Sequence, residues 1–435
     1  MIPKGTDESI QDYIRYRIIE TSLEGWLDRI DQLHPHEIEM GLERVREVGE
    51  RLGVLRPAPL TVIVAGTNGK GSTAIFSEAL LLELGYRVGT TLSPHLERFN
   101  ERVRVDAQAC DDTTLCANFA AVEAARGDVP LTYFEFAALV ALVSFRSAEV
   151  DVAILEVGLG GRLDAFNIVD ADVAVVTSIG LDHQDYLGDD LEQIGFEKAG
   201  VFRRGQMVVL GASITDSVHQ RARELGCRIA RAGSEFHVQQ NADNWNFRSD
   251  GLSLNTLPHG RLAAENCAMG LGVAQWIAHD EPRAKIVTRE AVLGALDRSW
   301  MPGRCEVVYR DERRWILDVA HNPAGAAFFR DQLSRHTQDP ALAIIGSLCD
   351  KDTSGIIAAM LPVIGRVICV GVEGDRGLGA AELAARLPPE ITHECSPDLA
   401  TAIARARSLT RSGDVILACG SFAIVGKARS LLKAQ

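Results

Sequence analysis

Val62 to Thr73 reads VIVAGTNGKGST, and the fold turns on how this stretch is read. In the usual phosphate-binding loop a glycine stands five residues before the Gly-Lys pair, and a Ser or Thr follows the lysine. Here Val64 holds the first place, Gly71 follows Lys70, and the hydroxyl arrives one residue late, at Ser72. A glycine turn also serves a tight strand-to-helix bend without any ligand, so the flanks carry the weight. LTVIVA (60–65) is a β-branched run fit for a buried strand, and STAIFSEALLLELG (72–85) has helical spacing and ends at Gly85. Strand, glycine turn and helix together aim backbone N–H groups and a helix N-terminus at an anion, with Lys70 as a point charge on terminal phosphates.

Outward from this loop, short β-branched runs alternate with amphipathic helical stretches, the mark of α/β layers with parallel sheets. The chain has 435 residues, too many for one ordinary core. The expected architecture is an N-terminal phosphate-loop ATPase-type domain with a mostly parallel central sheet, followed by a smaller Rossmann-like α/β domain. Strands are expected at Leu60–Val64, Arg87–Thr91, Val152–Val157 and Val173–Ser178, with one or two more and a hairpin between Gly205 and Gly260. At ALDRSWMPGRCEVV the pattern restarts, and RWILDVA, LAIIGS, RVICVGV and DVILACG supply a second doubly wound sheet. The division is placed at Asp297, giving domains 1–297 and 298–435, and a crevice between two such domains is a natural ligand site.

Composition narrows the partners. A net charge of -14 with no clustered basic face speaks against nucleic acid. The nine cysteines are scattered without a C-x-x-C pair, and no signal peptide is read in residues 1–18, so reduced thiols in a cytoplasmic protein are expected. The most apolar stretch, LTYFEFAALVALVSF (131–145), carries Glu135 and is too short to span a bilayer.

Candidate chemistry sits at strand ends, where such sheets bind ligands. Glu156 closes the strand in VDVAILEVGLGGRLDAFN, and a carboxylate there suits Mg2+, which prefers oxygen donors and nucleotide phosphates. A capping or salt-bridging glutamate is an equal alternative on this pattern. The next strand runs into Asp182, His183 and Asp185; His183 is the better metal candidate of the three, although imidazole suits Mn2+ better than Mg2+. Lys198, beside Glu197 in a helical stretch, reads on pattern alone as an exposed surface lysine. In ILDVAHNPAGA a strand ends at Asp318, His321 and Asn322, with Pro323 opening a helix. Arg304 in PGRCE stands where it could reach a phosphate in the crevice.

These motifs, in order AGTNGKGST, SPHLERFNERVRV, LTYFEF, LEVGLGGRLDAFNIVDADVAVVTSIGLDHQDYLG, EKAGVF, PGR, LDVAHNP and CGSF, resemble the bacterial dihydrofolate synthase/folylpolyglutamate synthase family of the Mur ligase superfamily. The late hydroxyl of the loop is a feature of that family. The resemblance implies that Thr67, Asn68, Gly69, Lys70 and Gly71 hold ATP phosphates, and that Ser72, Glu156 and His183 ligate magnesium. It implies a carbamylated Lys198 that helps to position a second magnesium, which overturns the surface reading; Mn2+ is expected to substitute. Asn266, Arg304, Asp318 and His321 match positions for adenine, phosphate and ribose. Ser93, Pro94, His95 and Arg98 match a loop closing over a pterin, and Thr132 and Phe134 the pocket near its ring. Two departures stand out: Glu265 and Cys267 flank Asn266 where relatives have Gln and Ala, and Ser347 stands before the leucine of GSLCDKD where relatives have a methionine.

The implied activity is ATP-dependent addition of L-glutamate to dihydropteroate and to reduced folates through an acyl phosphate, by a monomer. Lys70, Lys198, His183 and Glu156 would carry the catalysis. The nearest rival is a cell-wall Mur ligase, which needs a nucleotide-sugar domain ahead of the loop; only about 60 residues precede it here. A nucleotide-gated regulatory protein is the rival of another class, and the full set of metal candidates argues against it.

Overall fold

A computed structural model describes residues 22–34, 39–280, 285–333, 337 and 339–434. The N-terminal stretch read for targeting, residues 1–18, lies outside the described residues. Eight strands build the first sheet: β1 (Leu60–Ala65), β2 (Val88–Thr91), β3 (Val103–Val105), β4 (Gln108–Ala109), β5 (Val152–Glu156), β6 (Val173–Val176), β7 (Met207–Leu210) and β8 (Arg228–Arg231). Their order is β4-β3-β2-β5-β1-β6-β7-β8, parallel throughout except for the β3 and β4 edge. The strand that feeds the glycine loop is therefore central, with β5 and β6 on its two sides.

Alternation along β1 divides the core into two layers, because successive side chains point to opposite faces. Val62 and Val64 pack with Ala74, Phe76, Leu80 and the helix Ala264–Asp280. Ile63 and Ala65 pack with Phe119, Phe136 and Leu139 from the helices Asp112–Arg126 and Tyr133–Ser147. The apolar stretch 131–145 is thus a core helix, and Glu135 closes its capping box with Thr132. Among the described residues no helix is long and apolar enough to cross a membrane.

Between Gly205 and Gly260 the sequence suggests one or two strands and a hairpin, whereas the structure has five strands. Two complete the large sheet as β7 and β8; β9 (Phe236–Gln240), β10 (Asn244–Ser249) and β11 (Leu252–Pro258) form an antiparallel sheet of order β11-β10-β9. Their solvent-facing residues are polar, and their inward Phe236, Trp245, Phe247, Leu254 and Leu257 join the layer under the helix Ala264–Asp280. Short half-exposed strands carry too little apolar signal to be read separately.

The third sheet comprises β12 (Glu306–Arg310), β13 (Arg313–Asp318), β14 (Ala341–Ile345), β15 (Ile364–Val370), β16 (Thr392–Ser396) and β17 (Val415–Cys419), in order β12-β13-β17-β14-β15-β16. It is parallel except for β12, with its own apolar layer on each face. Asp297 is the penultimate residue of the helix Arg289–Arg298, whose Val292, Ala295 and Leu296 pack on the first domain. The chain enters the third sheet only at Glu306.

Candidate active site

The loop after β1 is shaped by two glycines at positive φ. A Cβ at Gly66 (φ +138) would lie 1.9 Å from Thr177 Oγ1, and one at Gly69 (φ +86) 2.4 Å from Asn266 Oδ1. Bare backbone is thus required where β6 and the helix Ala264–Asp280 press against the loop. The Thr67 N–H donates to the Ser178 carbonyl (2.8 Å) and the Asn68 N–H to Ser178 Oγ (3.2 Å), which ties the loop to the end of β6. The helix Lys70–Glu83 begins directly after Gly69, its first-turn residues Lys70, Gly71 and Ser72 line the crevice, and the Gly71 N–H bonds Glu156.

Two ammonium groups meet at this loop. Lys70 Nζ donates to the carbonyls of Gly66 (3.1 Å) and Thr67 (3.2 Å), and Lys198 Nζ donates to the same Gly66 oxygen at 3.1 Å. Lys198 lies in the helix Leu191–Ala199 and is 5% exposed, so the surface reading of its pattern fails: the helix packs this face inward. Gly161 permits the approach, since a Cβ there would stand 2.9 Å from the Glu197 and Lys198 carbonyls. Burial, reinforced by the neighbouring Lys70 charge, brings Lys198 down to about 7. Burial lowers Lys70 as well, against the pull of Glu156 and Asp182.

Glu156 is buried at the end of β5 and accepts from the Ser93 N–H at 2.8 Å. Burial raises its carboxyl, while the Lys70 charge and the Ser93 N–H oppose the shift. Ser72 is buried in the first turn of its helix. His183 sits in left-handed conformation (φ +51) at the start of a short helical turn; burial lowers it to about 4, so its ring is neutral at physiological pH and able to ligate a metal. Together with Gly66 to Ser72, Lys198 and Arg304, these residues line one narrow slot of about 90 Å³. Among the described residues, no three His, Cys, Asp or Glu side chains are gathered as a ready metal cage. Ser72, Glu156 and neutral His183 fit an incomplete site, in which a hard divalent cation takes its remaining ligands from phosphate oxygens and water.

From the other domain, Asp318 ends β13 with Oδ2 accepting from the Cys305 N–H (2.8 Å) and Oδ1 from the Ala320 N–H (2.8 Å). Arg304 stands over the Phe422 ring, 5.8 Å from its centroid. Arg304, Asp318 and His321 line a cavity of about 750 Å³ with Asn68, Gly69, Ser72 and Asn266. Sequence reasoning preferred His183, but its neighbour Asp182 is the residue that joins the two domains here. Asp182 receives Lys351 Nζ (2.6 Å) and Asn322 Nδ2 (3.2 Å), and His321 Nε2 lies 3.5 Å away. Asn68 and Asn322 exchange side-chain hydrogen bonds at 3.1 and 3.0 Å. Burial pushes the Asp182 carboxyl up, but His321 and Lys351 outweigh it and hold it far below the usual carboxylate range. Its partners are about 140 and 169 residues away, so only the fold joins them.

A third cavity, of about 680 Å³, lies beyond the slot and shares Ser93, Pro94, Gly158, Leu159 and His183 with it. Its walls include Thr132, Tyr133, Phe134, Arg102 and Asp164. Gly158 leaves room for the Phe134 ring, which a Cβ would meet at 2.4 Å. Asp164 is raised by burial to about 6, although the N–H groups of Phe166, Leu159 and Gly158 favour its anion. Two residues expected at this loop do not line the cavity. Arg98 points to the surface and pairs with Asp112 (2.9 Å), while His95 Nδ1 accepts from Arg102 Nε at 2.8 Å. Arg102 is the arginine that the cavity uses. The cue was the second arginine of SPHLERFNERVRV, placed by the 3-10 turn Phe99–Arg102.

A glycine phosphate loop on one parallel sheet, facing a smaller α/β domain across a lined crevice, defines a two-domain nucleotide-dependent enzyme fold. Residues 64–273 match the Mur ligase middle domain, and residues 303–422 the Mur ligase glutamate ligase domain. The chain is 40% identical over 415 residues to the dihydrofolate synthase/folylpolyglutamate synthase of Escherichia coli (strain K12), covering 95% of this chain and 96% of that protein. The structure of E. coli FolC in complex with DHPP and ADP superposes with a TM-score of 0.90 at 39% identity, over 96% of this chain and 99% of that one. A bifunctional folylpolyglutamate synthase/dihydrofolate synthase with Mn, AMPPNP and L-glutamate bound gives 0.87 at 42% identity, over 95% and 99%. The chain belongs to the dihydrofolate synthase/folylpolyglutamate synthase family of the Mur ligases.

Proposed function

We propose that the protein is an ATP-dependent ligase that adds L-glutamate to dihydropteroate, and to reduced folates that already carry glutamate. The observation that carries this reading is the row of three adjoining cavities, one of about 750 Å³, a narrow slot lined by Lys70, Lys198, Glu156 and His183, and an aromatic-walled one of about 680 Å³, which suit a nucleoside, phosphates with a cation, and a pterin in turn. The related structures that hold DHPP with ADP, and AMPPNP with L-glutamate, support it. In the reaction the terminal phosphoryl group passes to the substrate carboxylate and ADP leaves. The glutamate α-amine then attacks the acyl carbon, the carbon–oxygen bond to phosphate breaks, and the amine loses a proton.

Lys70, Arg304 and the N–H groups of the loop would neutralise the charge that moves between phosphate oxygens, which is where such transfers gain most of their rate. Ser72, Glu156 and His183 would hold the divalent cation; when bound, it supplies charge neutralisation and orients phosphate oxygens. Thr67, Asn68, Gly69 and Gly71 cradle phosphate, and Asn266, Asp318 and His321 position the nucleoside. Ser93, Pro94, Thr132 and Phe134 wall the pterin cavity. We assign Lys198 as the carbamylated lysine: its burial and its place beside Lys70 favour an anion there over a second cation. The functional division is taken at residues 1–297 and 298–435. The nine free thiols and the acidic surface suit a cytoplasmic monomer that binds no nucleic acid.

The test is phosphate release by the pure protein with ATP, L-glutamate and either dihydropteroate or tetrahydrofolate. Release dependent on all three substrates is expected with both acceptors. Release with neither would reject the reading, and release with one alone would restrict it to that acceptor.

A further inference from the structure

The segment Ser93–Glu101 is a strap tied at three places. At its start, the Ser93 N–H holds Glu156 in the phosphate slot (2.8 Å), and Pro94 stands between the slot and the aromatic cavity, lining both. At its end, Glu101 gathers the N–H groups of Leu96, Glu97 and Arg98 at 2.8, 3.0 and 2.9 Å. The middle reaches across to the other domain. Glu97 pairs with Arg429 and accepts from Ser430 Oγ at 2.7 Å, both on the C-terminal helix Phe422–Ala434. Arg429 is itself held by buried Glu306 (2.9 Å) and lies against the Trp300 ring. At Gly426 a Cβ would lie 2.3 Å from the Leu96 carbonyl, so this helix meets the strap with bare backbone.

We propose that Glu97 is a positioning residue: its bonds to the C-terminal helix hold the strap, so that the wall between phosphate slot and aromatic cavity is completed by docking of the second domain. The inference rests on the proposed function in that a pterin-bearing acid occupies the aromatic cavity. Glu97 lines neither cavity and acts only through Ser93, Pro94 and the Arg102 turn. Loosening the strap therefore weakens capture of the pterin substrate first: the nucleoside cavity takes no residue from it, and at the phosphate slot it supplies only the rim at Ser93 and Pro94.

Steady-state kinetics of the full chain separates these effects. Losing a charge-assisted bond, Glu97→Ala should raise KM for dihydropteroate about tenfold while KM for ATP stays within about twofold of wild type. Glu97→Gln retains an acceptor for Ser430 and should fall between the two. Ser430→Ala, which removes one hydroxyl from an exposed position and leaves the Arg429–Glu306 pair intact, should shift KM for dihydropteroate in the same direction by less. An unchanged KM for dihydropteroate in Glu97→Ala, or an equal rise in both constants, would overturn the proposal. A wild-type protein that turns over neither dihydropteroate nor tetrahydrofolate would instead reject the functional reading, and this inference with it; one active only on tetrahydrofolate would move the same comparison to the KM for that acceptor.

Discussion

Lys70 and Lys198, 128 residues apart in the chain, donate to one acceptor, the carbonyl oxygen of Gly66. Two lysines converging in a buried slot repel each other, and the arrangement persists because Glu156, Asp164 and Asp182 supply opposing charge. An incoming polyphosphate would relieve that repulsion, which makes the slot selective for anions before any contact is counted.

Lys70→Ala should lower ATP turnover by about 10²-fold or more, the usual scale for removing one charge-stabilising donor. Its ammonium bonds only loop carbonyls, so the far-ultraviolet circular dichroism and thermal midpoint should stay close to wild type. Turnover within a few-fold of wild type would reduce the loop to a structural turn.

Lys198 makes two separable predictions. Lys198→Ala should lose activity, and a short organic acid with bicarbonate should restore part of it. Lys198→Arg, which keeps the cation but cannot carry a carbamate, should be as inactive; an active arginine form would remove the anion from the mechanism. The second concerns stability in metal-free, CO2-free buffer. Lys198 titrates at about 7 when folded and at 10.5 in the unfolded reference, so between these values the unfolded chain binds the extra proton. Its contribution to stability therefore rises with pH across that window, and its cost is complete below it. Lys198→Met should be more stable than wild type at neutral or lower pH, with the gap closing toward alkaline pH in denaturant titrations.

Glu156→Ala and His183→Ala should each raise the magnesium concentration needed for half-maximal turnover. The double change should cost much less than the sum of the single ones, because both disrupt one site. Additive shifts in the metal titration would show that at least one of them holds no cation.

Asp182→Asn keeps the shape of the interdomain cluster but removes the charge that Lys351 and His321 share. With a buried cation left unpaired, turnover should fall about tenfold or more. The radius of gyration from small-angle scattering should rise as the domains part. An unchanged radius with reduced turnover would place the effect of Asp182 in chemistry rather than in docking.

Much of this was legible in the sequence because it is local. LTVIVA followed by GTNGKGST specifies strand, turn and helix through β-branching, glycine at left-handed positions and helical spacing, and the structure has β1, the loop and the helix Lys70–Glu83 there. The strand ends carrying Glu156 and Asp318 were read in the same way, since parallel sheets present chemistry at their carboxyl edges. The three-stranded sheet β9 to β11 was underread because its alternation is short and half exposed.

Other features depend on contacts between distant segments. Local spacing makes Lys198 a surface residue; only packing of its helix against the Gly158–Gly161 loop and Gly66 buries it and lowers its pKa. Arg98 and Arg102 are equivalent on paper, and the turn at Phe99–Arg102 sends one to solvent and the other into the cavity. Asp182 pairs with Lys351 and Asn322 only when two domains meet, and no pattern within either domain records that meeting. The sequence by itself determined the elements and the chemical character of each strand end, because propensity and periodicity act over a few residues. Tertiary structure alone decided burial, charge state and partnership, because these are set by what comes within hydrogen-bond distance from far along the chain.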